Sequence, residues 1–118
     1  RCYNTSVLYG PDGARLASYR KLHLFDVDVA DGVRFQESKT TVPGDTPTVV
    51  TTALGTFGLS ICYDLRFPEL YRAMMQPPCD LICVPAAFTH TTGKAHWELL
   101  LRARAVENQA HAAPRGPS

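Results

Sequence analysis

Long apolar runs are missing from this 118-residue sequence. None approaches the roughly 18 residues that span a bilayer, and no charged-then-apolar segment opens the chain, so a soluble intracellular protein is expected, cytoplasmic or mitochondrial. Charge of one sign is missing too. Twelve basic residues against eleven acidic ones leave a net charge of +1 with no run of either sign, which argues against nucleic acid or a membrane surface as partner. Cysteine is sparse. The four, at positions 2, 62, 79 and 83, sit in a sequence of ordinary hydrophobicity and form no disulfide framework. Cys79, Cys83, His90 and His96 could suggest zinc, but their spacing matches no usual ligand pattern and Cys83 lies inside the apolar run Leu81-Ile-Cys-Val84, so no metal is expected. The length allows one domain.

What is present is organised around Phe57-Gly-Leu-Ser-Ile-Cys-Tyr-Asp-Leu-Arg-Phe-Pro-Glu-Leu70. Phe57 to Ile61 has the composition of a buried strand, and from Asp64 to Met75 the residues Leu65, Leu70, Ala73 and Met74 recur at helical spacing. Cys62 falls at the turn between them. Backbone N–H groups and the positive end of a helix dipole there favour thiolate over thiol, which would make Cys62 a nucleophile; position alone equally allows a small buried apolar residue.

Upstream, Cys2 to Tyr9 and Ala14 to Tyr19 flank the turn Gly10-Pro-Asp-Gly13 and predict a β-hairpin. Arg20 and Lys21 end its second strand, where a lone lysine is usually solvated. Residues 26 to 46 have little periodicity and read as a long loop, within which Glu37 follows Phe35 and, taken alone, is a surface charge. Pro47 to Leu54 and Thr56 to Ile61 form a second strand pair about Gly55. Gln76-Pro-Pro78 stops the helix, and Asp80 to Pro85 is a buried strand. Strand, helix and strand in succession predict a βαβ crossover with parallel strands, whose carboxyl ends bring Cys62 beside Ala86-Ala-Phe-Thr-His90. Gly93 to Asn108 is a helix with Trp97, Leu100, Leu101, Arg104 and Ala105 on one side and Glu98 and Arg102 on another. Residues 110–118 read as a disordered tail, leaving a domain over 1–109 with both ends cut.

Three segments together resemble the nitrilase-type carbon–nitrogen hydrolases: Tyr19-Arg-Lys-Leu-His-Leu-Phe25, Gly58-Leu-Ser-Ile-Cys-Tyr-Asp-Leu-Arg-Phe-Pro-Glu-Leu70, and His96-Trp-Glu-Leu-Leu-Leu-Arg-Ala-Arg-Ala-Val-Glu-Asn108. Tyr3-Asn-Thr5, His23-Leu-Phe-Asp-Val-Asp28, Phe35-Gln-Glu-Ser-Lys39 and Thr91-Thr-Gly93 are similar to the omega-amidase branch. The resemblance implies an α/β fold, a four-layer α-β-β-α sandwich that this chain fills only in part, as an internal fragment. It also implies a Glu–Lys–Cys triad in which Cys62 is the nucleophile, Lys21 the lysine, and Glu37 a second, supporting glutamate. The triad's first glutamate lies in the family before the hairpin that opens this sequence. Lys21 and the Tyr63 backbone N–H would hold the oxyanion. Arg66, one helical turn past Cys62, would pair either with a substrate carboxylate or with a structural Asp or Glu. Phe88 and Thr92 match omega-amidase positions that line the substrate pocket. The implied reaction releases ammonia from a dicarboxylic acid monoamide, such as α-ketoglutaramate or succinamate, through a cysteine acyl-thioester and with no cofactor. A homodimer is implied for the complete protein. Two rival expectations are a non-catalytic fragment that associates through exposed sheet edges, and a sister amidase with a different substrate.

Overall fold

The computed structural model describes residues 1–28, 32, 34–76, 78–87 and 96–115. Strands β1 (Thr5–Tyr9) and β2 (Arg15–Arg20) pair antiparallel across the expected turn, where the Gly13 N–H donates to the Gly10 carbonyl at 3.0 Å. The segment expected to be a loop contains a second, short hairpin. Strands β3 (Asp26–Asp28) and β4 (Arg34–Gln36) pair antiparallel and run into a 3-10 turn over Glu37–Lys39. Three residues are too few to show alternation, which is why the sequence hides them.

The larger sheet has the order β5-β6-β7-β8. Strands β5 (Thr48–Thr52) and β6 (Gly55–Leu59) form the predicted antiparallel pair, and β7 (Leu81–Pro85) lies parallel to β6 as the crossover requires. The helix between them is shorter than its periodicity suggests. A 3-10 turn covers Cys62–Arg66, and helix α1 (Pro68–Ala73) begins only after an extended Phe67, because a residue before proline is driven out of the helical region. Helix α2 (Glu98–Asn108) follows β7 and carries an exposed Glu98–Arg102 ion pair at 2.7 Å on the side opposite buried Arg104.

The reading of residues 110–118 as a disordered tail does not describe His111–Arg115. These residues form strand β8, parallel to β7, so β7, α2 and β8 repeat the crossover. Gln109 takes the left-handed conformation at the helix end (φ 51°) and turns the chain back toward the sheet. The core lies beneath α1: Leu59, Ile82 and Val84 from the sheet meet Leu65, Leu70, Tyr71 and Met74, all of them buried. Gly58 allows this close approach, since a Cβ there would sit 2.9 Å from the Met74 sulfur.

Candidate active site

Strand β6 ends at Leu59, and the next three residues are held one by one. Ser60 donates its N–H (3.0 Å) and its hydroxyl (2.9 Å) to the Cys83 carbonyl, while the Ile61 N–H donates to Asp64 Oδ2 at 2.9 Å. Cys62 then turns with φ at 48°, the left-handed region that a non-glycine residue occupies at a cost of about 1–2 kcal/mol. The thiol is half-buried and free. The N–H groups of Cys62 and Tyr63 open the 3-10 turn and find no hydrogen-bond partner among the described residues. Two donors and a thiol therefore share one strained turn. Because that turn is separate from α1, the donors themselves, and not a long helix dipole, set the local field.

Lys21 reaches the site from the end of β2. Its N–H donates to the Asn4 carbonyl and its own carbonyl accepts from Gly44, both at 2.8 Å. Gly44 has no freedom to be larger, because a Cβ would collide with the carbonyl oxygen of Arg20. The Lys21 side chain is 3% exposed, so the expectation of a solvated lysine fails here; its Nζ donates to Glu37 Oε1 at 2.7 Å. Glu37 is equally far from a plain surface charge. It also accepts the Phe25 N–H at 2.8 Å and the Asn4 amide at 3.1 Å. Burial works against its charged form, yet the bonds from Lys21, Phe25 and Asn4 outweigh burial and hold the carboxyl below its ordinary range. A carboxylate so supplied with donors is a weak proton acceptor and a firm anchor for the ammonium.

Cys62, Lys21 and Glu37 all line one cavity of about 760 Å³, with Phe25 and Phe35 as apolar wall and Pro85 to Ala87, past the end of β7, on its rim. The crossover geometry thus brings the end of β7 to the cysteine, as strand order demands. Aromatic contacts tie the parts together: Phe25 meets Phe35 at 5.2 Å and Tyr63 at 5.1 Å between ring centroids. Arg66 is not among the described residues of the lining. Its guanidinium meets His96 Nδ1 at 3.0 Å, a partner that neither expectation named. Phe88 and Thr92 lie outside the described residues.

Two features escape a reading of the sequence. Arg34 lines the cavity from β4, inside what looks like a loop, and is paired only loosely with Asp28 at 3.4 Å. Asp64 is fully buried and accepts four hydrogen bonds, from Tyr19 Oη (2.6 Å), the His23 N–H (3.0 Å), His23 Nδ1 (2.8 Å) and the Ile61 N–H. Burial first, and then the Asp64 charge, push the Tyr19 phenol far above its usual value, so it stays a donor. The sequence shows only an aspartate two residues after the cysteine; its burial, and hence its need for partners, is visible only in the fold.

A family model described as carbon–nitrogen hydrolase matches residues 1–116. The chain is 52% identical over all 118 residues to the human protein named omega-amidase NIT2, and 48% identical to an Arabidopsis thaliana protein named omega-amidase, chloroplastic. It spans 43% and 32% of their respective lengths. Among solved structures, Saccharomyces cerevisiae Nit3, titled a member of branch 10 of the nitrilase superfamily, matches 98% of this chain and 39% of its own with a TM-score of 0.85 at 40% identity. The Caenorhabditis elegans NitFhit protein matches 97% of this chain and 28% of its own, with a TM-score of 0.87 at 45% identity.

Proposed function

The chain belongs to the carbon–nitrogen hydrolase family and has the nitrilase-superfamily α/β fold, and from that premise we propose that its site cleaves the C–N bond of dicarboxylic acid monoamides such as succinamate and α-ketoglutaramate. The observation that carries the reading is the meeting of Cys62 with buried Lys21 and its half-buried partner Glu37 on one cavity. In the first step the Cys62 thiolate attacks the amide carbonyl carbon, forming a C–S bond. The oxygen becomes an oxyanion beside the Lys21 ammonium and the Tyr63 N–H, donors fixed before the charge develops. The C–N bond then breaks, the nitrogen takes a proton and ammonia leaves. Water attacks the remaining thioester, and the acid and the thiol are released. Glu37 keeps Lys21 aimed through the 2.7 Å bond to its Nζ; the base that relays protons is the glutamate that the family carries outside this stretch of sequence.

Relatives named omega-amidase support the choice of an ω-monoamide. Arg66 keeps its proposed role as reader of the distal carboxylate only if it leaves His96, and Phe88 and Thr92 are proposed as further pocket residues. A panel of amides offered to full-length protein containing residues 1–118 tests the reading. Ammonia release should be fastest with succinamate and α-ketoglutaramate and vanish in Cys62→Ala. Equal rates on uncharged amides of the same length would point instead to a sister amidase, and turnover surviving Cys62→Ala would remove the nucleophile.

A further inference from the structure

The structure assigns Asp64 a part in the reaction: we propose that it is a positioning residue, fixing the Lys21 ammonium against Cys62. The proposal rests on the reading of Cys62 as nucleophile and Lys21 as its cation. Its basis is where the four donors to Asp64 sit in the chain. Tyr19 lies two residues before Lys21 and donates its phenol; His23 lies two residues after and donates both its N–H and its ring Nδ1. Ile61 immediately precedes Cys62 and donates its N–H. One carboxylate thus brackets the lysine on both sides and grips the cysteine from behind. Lys21 and Cys62 follow strands of different sheets, β2 and β6, and both line a common cavity. Their relative placement therefore depends on what joins the two backbones.

The joint is built to hold. Asp64 has no exposed surface, its Oδ2 takes Tyr19 and Ile61 while its Oδ1 takes His23 twice, and the His23 ring stacks on Phe67 at 3.8 Å. Each oxygen faces a backbone N–H that can only donate, His23 on Oδ1 and Ile61 on Oδ2, so both positions must accept. Asparagine, the same size, must turn an N–H₂ toward either the Ile61 N–H or the His23 N–H. One half of the bracket then opens whichever way the amide sits.

The test is a double-mutant cycle in full-length protein carrying this segment, read by the rate at which iodoacetamide alkylates Cys62 at pH 7. Lys21→Met should slow alkylation about tenfold by removing the nearby cation, and Asp64→Asn should slow it by a similar factor. In the Lys21→Met background Asp64→Asn should do nothing more, because its effect passes through the lysine. A purely structural loosening changes the rate by one factor in both backgrounds and overturns the proposal. Succinamate turnover gives a second readout, in which Asp64→Asn should reduce kcat by tenfold to a hundredfold, as an order of magnitude, with KM little changed. Tyr19→Phe, which removes a single donor, should show the same pattern in weaker form and carries the test if Asp64→Asn does not fold. If Lys21→Met leaves alkylation unchanged, the assignment of the lysine fails and the proposal with it. If Lys21→Met acts while both Asp64→Asn and Tyr19→Phe are silent, the Asp64 proposal alone is wrong.

Discussion

Beneath α1, Leu59, Ile82, Val84, Leu70, Tyr71 and Met74 are held by close packing, whereas a short distance away Lys21 and the Cys62 turn are held by hydrogen bonds to two carboxylates, Glu37 and Asp64. The difference is one of tolerance. Dispersion and burial are summed over many contacts, so trimming a core side chain loses stability in proportion to what is removed. A charged hydrogen bond has one partner in one direction, and an isosteric change that reverses a donor leaves a buried group unpaired. The packed region should therefore fail by degrees and the bonded region by function.

Lys21→Met should produce the largest break. In full-length protein it should lower kcat on succinamate by about a hundredfold to a thousandfold, the usual loss for one oxyanion donor, while far-ultraviolet circular dichroism stays native. An unchanged kcat would mean that the polar region is only scaffolding. Ile82→Val should sharpen the contrast from the other side. Removing one methylene from a fully buried strand position should destabilise by about 1 kcal/mol in urea denaturation and leave Cys62 labelling within about twofold. A loss of labelling as large as that of Lys21→Met would erase the distinction.

The smallest effect concerns acid. The folded-state pKa of Glu37 is depressed, so its contribution to stability is present above the ordinary carboxylate range near about 4.3 and is lost as pH falls through the folded value. Glu37→Gln should flatten the decline of the denaturation midpoint on the acid side of that range. Parallel pH curves for the two proteins would show that Lys21 is held by something other than the glutamate charge.

The parts of the fold legible in the sequence are those written in local pattern. The β1–β2 turn, the β6–α1–β7 crossover and the position of Cys62 at a strand end all follow from turn residues, periodicity and chain direction. Strand β8 was hidden because Ala112, Ala113 and Pro114 have poor strand character; their partner is β7, and the pairing is made at long range. The division of the helix at Pro68 was missed, because the periodicity of Leu65, Leu70 and Met74 runs straight across the proline that causes it. Of the site, Cys62 stood at a strand end but position alone left it equally a small buried residue, and Lys21 and Glu37 looked like ordinary surface charges until a family resemblance joined the three. Their bond spans sixteen residues in sequence and depends on a hairpin that the composition of 26–46 does not announce. Asp64 was passed over as part of a helix, because neither its burial nor its partners at Tyr19 and His23, more than forty residues away, can be read locally.

The left-handed backbone of Cys62 has a consequence for how such a protein would change under selection. Glycine alone occupies that conformation without a steric penalty, so the residue best suited to the fold at position 62 is one with no sulfur at all. A population of variants screened only for survival of heat should drift toward Cys62→Gly, gaining stability while losing the thiol that the proposed reaction uses. Under the proposed mechanism, cysteine at this turn serves the reaction against the conformational preference of the chain.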